Sequence, residues 1–452
     1  MKKFFLSLVA ASAMSLFLRA AAPPDNPPPD ARYKVDLLVV VAHPDDETAV
    51  GAYLARAIFD EKKRVAVVFG TRGNGGGNAE GQEQAAALGA IREIEARRAL
   101  AHFDISEVWF LNGLDTPGQV VLDSLETWNH GDALGRMVRL IRLTRPAVVA
   151  SWLPDWVAGE NHGDHQAAGV IATEAFDLAG NPTSFPEQLA TPRNREDISN
   201  LTEGLSAWQA QKIYYFTDAA HTEFLEGKGP RYSAAEMSPS RHEPYARLAA
   251  EECSYHLTQG DTGQMAREAL RKNNLQAFDE PVRFIFGKSY VPASKTGDLF
   301  EGTSANALPY HPPPGFKIGA QEAAVVTLGG SWNFYRQFWQ AHGLENLSNL
   351  VGPEIMAQFS SRFTIPVLIQ NSTDAALPVH LAITLPDGWS FVRRPDAAFS
   401  VPAHSDCSYV FEMKTASAQS GWQTIDIAAD SNGVKLGEIR IRAELNGAAM
   451  PE

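Results

Sequence analysis

Between Lys34 and about Val291 the chain alternates short apolar, β-branched runs with longer stretches of helical spacing, and few folds accept that order. The strand candidates are Asp36–Val41, Val65–Gly70, Val108–Leu111, Ala147–Trp152 and Ile213–Thr217. Helical stretches lie between them near Ala49–Phe59, Glu83–Phe103, Ala133–Leu143 and Gln166–Leu178. Strands this apolar are buried on both faces, which parallel strands joined by helical crossovers achieve. The expectation is an α/β domain with a mostly parallel, Rossmann-like sheet flanked by helices. Ligands of such sheets bind beyond the carboxyl ends of the strands, so the residues that follow each run are where chemistry is sought.

The first such junction is VVVAHPDDETAVGAYLARAIF, Val39 to Phe59. Pro44 is tolerated there because its missing N–H costs nothing in a first helical turn. Asp45, Asp46 and Glu47 then sit at the positive end of the helix, and capping alone accounts for an isolated Asp-Asp-Glu. Capping does not account for His43. His43 and Asp46 are three apart, close enough for both side chains to reach one ion if a third ligand joins them.

The fourth strand candidate runs into SWLPDWVAGENHGDHQAAGV, where His162 and His165 flank Asp164 at the entrance to a helix. A histidine pair on a loop is usually only solvated. Two such clusters, each at the carboxyl end of a predicted parallel strand, change that reading. His43, Asp46 and one histidine of the second cluster form a two-histidine, one-carboxylate set, the kind that holds catalytic zinc and keeps a fourth position for water. Two imidazoles favour zinc over magnesium, which prefers oxygen ligands.

AHPDDE followed by HGDH resembles the PIG-L/LmbE-like family of zinc-dependent N-acetylglucosaminyl deacetylases. IREIEARRALAHF is similar to that family's R-x-x-E helix and YHLTQ to its late H-x-[ST]-Q segment, so the resemblance covers roughly residues 34–292. It implies Zn2+ held by His43, Asp46 and His165, with Asp45 as general base. It implies that His162 stabilises an oxyanion or protonates the leaving amine, with Asp164 orienting that imidazole and favouring its charged form. Arg92 matches an arginine that contacts substrate; an exposed helix charge is its other reading. Gly163 stands where the family usually has proline, which should loosen the loop without removing a ligand. Trp152 and Trp156 could line a sugar subsite or equally be core. The glycine-rich GTRGNGGGNAEGQ lacks G-K-[ST] and opens no strict G-x-G-x-x-G helix, so its glycines are read as permitting close backbone approach.

The function implied is hydrolysis of an acetamide on an N-acetylated amino sugar, an N-acetylglucosamine-type glycan or glycoconjugate, releasing acetate and free amine. Two readings compete. One is an amidase of the same mechanism acting on a non-sugar or thiol-conjugate amide. The other is a non-catalytic exported glycan-binding protein, against which the intact base and metal positions argue.

The ends of the chain are organised differently. MKKFFLSLVAASAMSLFLRAAA, residues 1–22, has the basic start, short apolar run and small residues of a signal peptide, and residues 23–33 read as a proline-rich spacer. An exported protein is expected, periplasmic, extracellular or at the cell surface, with no integral membrane span after cleavage. With 39 Lys+Arg against 53 Asp+Glu, a formal net charge of −14, nucleic acid is an unsuitable partner. After the deacetylase-like domain at 34–292, residues 293–350 read as a linker with a connecting helix whose aromatic face carries Trp332, Tyr335 and Trp339. From Arg362 the apolar period becomes two, so 351–452 is expected to be an antiparallel β-sandwich in which Trp389 or Trp422 could meet sugar rings. Cys253 and Cys407 fall in different predicted domains, so a bridge is not the default.

Overall fold

The computed structural model describes residues 31–155, 162–190, 204–219, 221–317, 323–348, 350–393, 398–417 and 421–446. The expected signal peptide, most of the spacer and Trp156 lie outside the described residues. Among the described residues no helix is long and apolar enough to cross a membrane.

Five parallel strands form where the β-branched runs predict them: β1 (Leu37–Val41), β2 (Val65–Phe69), β3 (Val108–Phe110), β4 (Val148–Trp152) and β5 (Lys212–Phe216). Their order is β3-β2-β1-β4-β5, and Ile285–Ser289 closes the sheet as an antiparallel edge beside β5. Every residue of β1, β2, β4 and β5 is buried, which is why these runs are apolar throughout rather than alternating.

Two helix layers cover the sheet. α1 (Gly51–Ala55) and α2 (Ala85–His102) each meet α6 (Tyr245–Cys253), while α3 (Val121–Thr127) and α4 (His130–Thr144) each meet α5 (Gly163–Leu178). The chain leaves β1 and β4, which are neighbours, toward different layers. That reversal opens a crevice at their carboxyl ends, and both histidine clusters flank it. The helical stretch expected at Ala49–Phe59 is one helical run of changing pitch: a 3-10 turn at Asp46–Val50, then α1, then a π turn at Arg56–Asp60.

The C-terminal residues form two facing sheets. One orders Glu354–Gln358, Val434–Asn446, Gly421–Ser431, Leu377–Thr384 and Ala398–Val401; the other orders Ser390–Phe391, Ser405–Lys414, Arg362–Asn371 and Ala324–Leu328. All pairings are antiparallel except that of Glu354–Gln358 with Val434–Asn446.

The segment 293–350 is more than a linker. Ala324–Leu328 pairs with Arg362–Asn371 and sends Val326 and Leu328 into the sandwich core. The next element, α7 (Gly330–His342), returns to the first core through Tyr335, Phe338 and Trp339, while Trp332 lies against the sandwich. The aromatic positions therefore face two cores rather than one. The sandwich accordingly draws a strand from before residue 351. Cys253 and Cys407 are both free.

Candidate active site

His43 stands two residues past the end of β1, and Asp46 begins the 3-10 turn three residues later. Asp46 Oδ2 accepts the backbone N–H groups of Ala42 and His43, each at 2.9 Å, and the Trp152 indole N–H at 2.8 Å. Three donors hold that oxygen, which leaves Oδ1 facing His165 Nε2 at 3.3 Å and His43 Nδ1 at 3.6 Å. His43 Nε2 in turn meets Asp164 Oδ2 at 3.3 Å. A proton on Nε2 facing Asp164 keeps the lone pair of Nδ1 on the Asp46 side.

His165 rides on α5 and is 2 % exposed. Its ring stacks on Trp152, centroids 4.4 Å apart and planes 6° from parallel, and its Nδ1 faces Asp218 Oδ2 at 3.8 Å. α5 can come this close because residue 169 is glycine: a Cβ there would collide with the Trp152 carbonyl oxygen. The ligand-type atoms of His43, Asp46 and His165 all lie within 4.8 Å of one another. His43, His162 and Asp164 form an overlapping group by the same measure. The first trio offers two nitrogens and a carboxylate oxygen already aimed at both imidazoles, a donor set that fits zinc or another divalent transition metal.

The charges are mutually supporting. Burial disfavours the charged imidazoles, yet Asp46 and Asp164 hold His43 well above its ordinary value, and Asp46 and Asp218 lift His165 to about 9. Asp46 stays ionised well below the usual carboxylate range, its burial outweighed by His165 and His43. Asp45 goes the other way. Burial and the neighbouring Asp46 raise it to about 6, against the pull of His256, His43 and Arg92.

Several expected roles shift. Asp164 reads differently in place: its carboxylate is nearer His43, at 3.3 Å, than His162, at 3.8 Å. Its backbone N–H is what binds His162, donating to Nδ1 at 3.1 Å as His162 caps α5. That bond leaves Nε2 as the protonated nitrogen of a neutral imidazole. Thr116 fixes Asp164 through its hydroxyl at 2.5 Å and its N–H at 2.9 Å.

Arg92 is not an exposed helix charge: it is 4 % exposed. Its guanidinium donates to the carbonyls of Gly73, Gly77 and Thr258. Gly73 has φ +66°, and a Cβ there would press on Arg92 and Pro44, so the glycine loop does approach closely, but around this arginine. Trp152 is 1 % exposed and serves the Asp46–His165 pair rather than a sugar. Gly163 does not loosen its loop. Its N–H donates to the Gly118 carbonyl at 2.9 Å, a bond proline cannot make, and it packs tightly against Ser124 and Val120.

The His256–Gln259 segment closes the site from behind. His256 Nε2 meets Glu47 Oε1 at 3.0 Å, Gln259 donates to the Pro44 carbonyl at 3.1 Å, and the Thr258 hydroxyl donates to Glu95 at 2.7 Å. Burial lifts the Glu47 carboxyl to about 8, with Glu252 adding to the shift and His256 opposing it. The AHPDDE loop, the R-x-x-E helix and YHLTQ thus brace one another. Thr116 and Asp218 escaped the sequence reading. Asp218 carried one usable signal, an acid just past the carboxyl end of β5; Thr116 carried none.

Trp152→Phe tests the support of Asp46. Phenylalanine keeps a ring for His165 to stack on but removes the indole N–H, so metal affinity should fall about 10–100-fold, the usual effect of losing a partner that orients a ligand. Competition against a chromogenic chelator measures it, and unchanged affinity would show that the two backbone donors suffice.

Residues 38–176 match the family model described as PIG-L: GlcNAc-PI de-N-acetylase. This segment resembles the PIG-L family. The PIG-L segment is similar to curated deacetylases and amidases. A 1D-myo-inositol 2-acetamido-2-deoxy-alpha-D-glucopyranoside deacetylase of Streptomyces avermitilis is 30% identical over 211 residues, 41% of this chain and 61% of that protein. A mycothiol S-conjugate amidase of Streptomyces coelicolor is 28% identical over 210 residues, 42% of this chain and 66% of that protein. The chain thus spans less than two thirds of either relative. The solved N,N'-diacetylchitobiose deacetylase from Pyrococcus horikoshii aligns at 19% identity and TM-score 0.39, covering 55% of this chain and 83% of that one.

Proposed function

We propose that the chain is a zinc-dependent hydrolase that removes the acetyl group from an N-acetylated amino sugar, with His43, Asp46 and His165 as the metal ligands. The observation that carries this reading is Asp46: three N–H donors saturate one oxygen and turn the other toward two imidazoles. Zinc held there would supply a Lewis acid for the acetamide carbonyl and acidify a water.

The remaining work falls to side chains. Asp45, lifted to about 6 by burial and Asp46, is a base suited to taking a water proton near neutral pH. His162, with its proton on Nε2, donates a hydrogen bond to the oxygen that gains charge as the carbonyl becomes tetrahedral, and Asp45 hands the proton it took from water to the departing amine. Asp164 holds His43 in one tautomer and gives His162 its N–H. Atoms balance simply: water adds to the carbonyl carbon, the C–N bond breaks, and acetate and free amine leave.

The PIG-L segment and the names of the similar proteins support an amide-cleaving activity on N-acetylglucosamine-type compounds. The mycothiol-conjugate amidase supports the second reading, a thiol-conjugate amide as substrate. Amine release from a panel containing N-acetylglucosamine derivatives and a thiol-conjugate amide separates the two. Elemental analysis should return one zinc per chain, and His165→Ala should lower that content sharply, because two protein ligands hold zinc poorly. Full zinc occupancy in His165→Ala would remove His165 from the ligand set.

A further inference from the structure

A cavity of about 450 Å³ lies where the loop after β5 meets the sandwich, lined by His221, Glu223, Phe224, Trp422 and Arg442. Glu354, whose side chain is wholly buried, ties its two walls together. It accepts from His221 Nε2 at 2.8 Å on one side and from an Arg442 Nη1 at 2.8 Å on the other. The Arg442 guanidinium lies 4.1 Å over the Trp422 ring, and the His221 ring stands 84° to that indole at 5.4 Å. Trp422 nonetheless stays 38% exposed, whereas Trp389 is 8% exposed and belongs to the sandwich core.

The cavity is close to the reaction site. His221 is three residues beyond Asp218, so their Cα atoms are at most about 11 Å apart. Asp218 itself faces His165 at 3.8 Å. The charges around the cavity are paired: Arg442 and His221 with Glu354, and His221 Nδ1 with Glu223 at 3.1 Å. Among the lining residues the one permanent cation, Arg442, is already engaged by Glu354, so no uncommitted positive charge selects an anion. An exposed indole ringed by hydrogen-bonding groups suits a neutral ring that has an apolar face and a hydroxylated edge.

We propose that this cavity is a distal subsite seating a further sugar ring of an oligosaccharide substrate, with the ring against Trp422. The proposal rests on the amino-sugar deacetylase reading and extends it: the sandwich supplies half of the substrate-binding surface. A chain of linked rings would place one acetamide at the His43–Asp46–His165 site and another ring here.

The test compares N-acetylglucosamine with its β-linked tetramer. In Trp422→Ala the ratio of kcat/KM for tetramer over monomer should fall about tenfold, mainly through KM for the tetramer. Trp422→Phe keeps an aromatic face and should keep that ratio within about threefold. An unchanged ratio in Trp422→Ala, an equal fall on both substrates, or a Trp422→Phe as impaired as the alanine would each overturn the subsite. If the wild type hydrolyses neither compound, the deacetylase reading fails by itself. Equilibrium binding of the tetramer, read by isothermal titration calorimetry, then decides the subsite. Binding by wild type that is lost in Trp422→Ala supports it; no binding by wild type overturns it.

Discussion

Asparagine at Asp45 is expected to leave one zinc per chain in place and to lower turnover by about 10²–10⁴, the usual size of a general-base contribution. The amide is nearly isosteric with the carboxylate, so the AHPDDE loop should keep its shape. Asp46 keeps all three of its donors, none of which involves the Asp45 side chain. What is lost is a group that can accept a proton. Burial and Asp46 raise Asp45 toward neutrality, whereas its neighbours Asp46 and Asp164 are held low. That division of labour between neighbouring acids is the reason to place the base at Asp45 and a ligand at Asp46. Turnover within a few-fold of wild type, with zinc retained, would transfer the base role to another group.

What could be read from the residues follows from how local the determining interactions are. β1, β2, β4 and β5 are buried on both faces, so their apolar runs announced a parallel sheet directly. His43 and Asp46 are brought together by a turn of three residues, which spacing alone predicts. The converging carboxyl ends of neighbouring strands point to one histidine of the second cluster, and it is the resemblance to the PIG-L/LmbE-like family that singles out His165. Long-range polar contacts were opaque. Arg92 lies on a helix of mixed polarity, and only its carbonyl partners, one of them 166 residues away at Thr258, explain why it is buried. Trp152 read equally as platform or core because its decisive feature, an N–H aimed at Asp46, belongs to a partner 106 residues distant. Gly163 misled in the opposite sense: a proline-to-glycine change suggests slack, but the freed N–H is bonded to Gly118.

The connecting segment was the least legible, and it sets the second large effect. A chain cut near residue 350 is expected to yield a sandwich fragment that is only marginally folded, rather than an independent domain. The fragment loses Ala324–Leu328, whose Val326 and Leu328 fill the sandwich core and whose backbone pairs with Val367–Asn371. Each lost aliphatic side chain removes about 1.5–3 kcal/mol of burial. The two together, about 3–6 kcal/mol, reach the lower end of the about 5–15 kcal/mol total stability typical of a small domain. Moving the cut upstream does not rescue the fragment. α7 follows that strand directly and would carry Tyr335, Phe338 and Trp339, now deprived of the first core, into water. On the other side of the cut, the metal trio keeps every element that positions it, but His221 loses Glu354 and the strand at 324–328 becomes an unpaired edge, which invites aggregation. A peptide spanning residues 323–329 should therefore bind the 351–452 fragment as an added strand and raise its melting temperature. If the fragment instead unfolds cooperatively at the temperature of the intact sandwich, with no response to the peptide, the strand is dispensable and the boundary lies at 351.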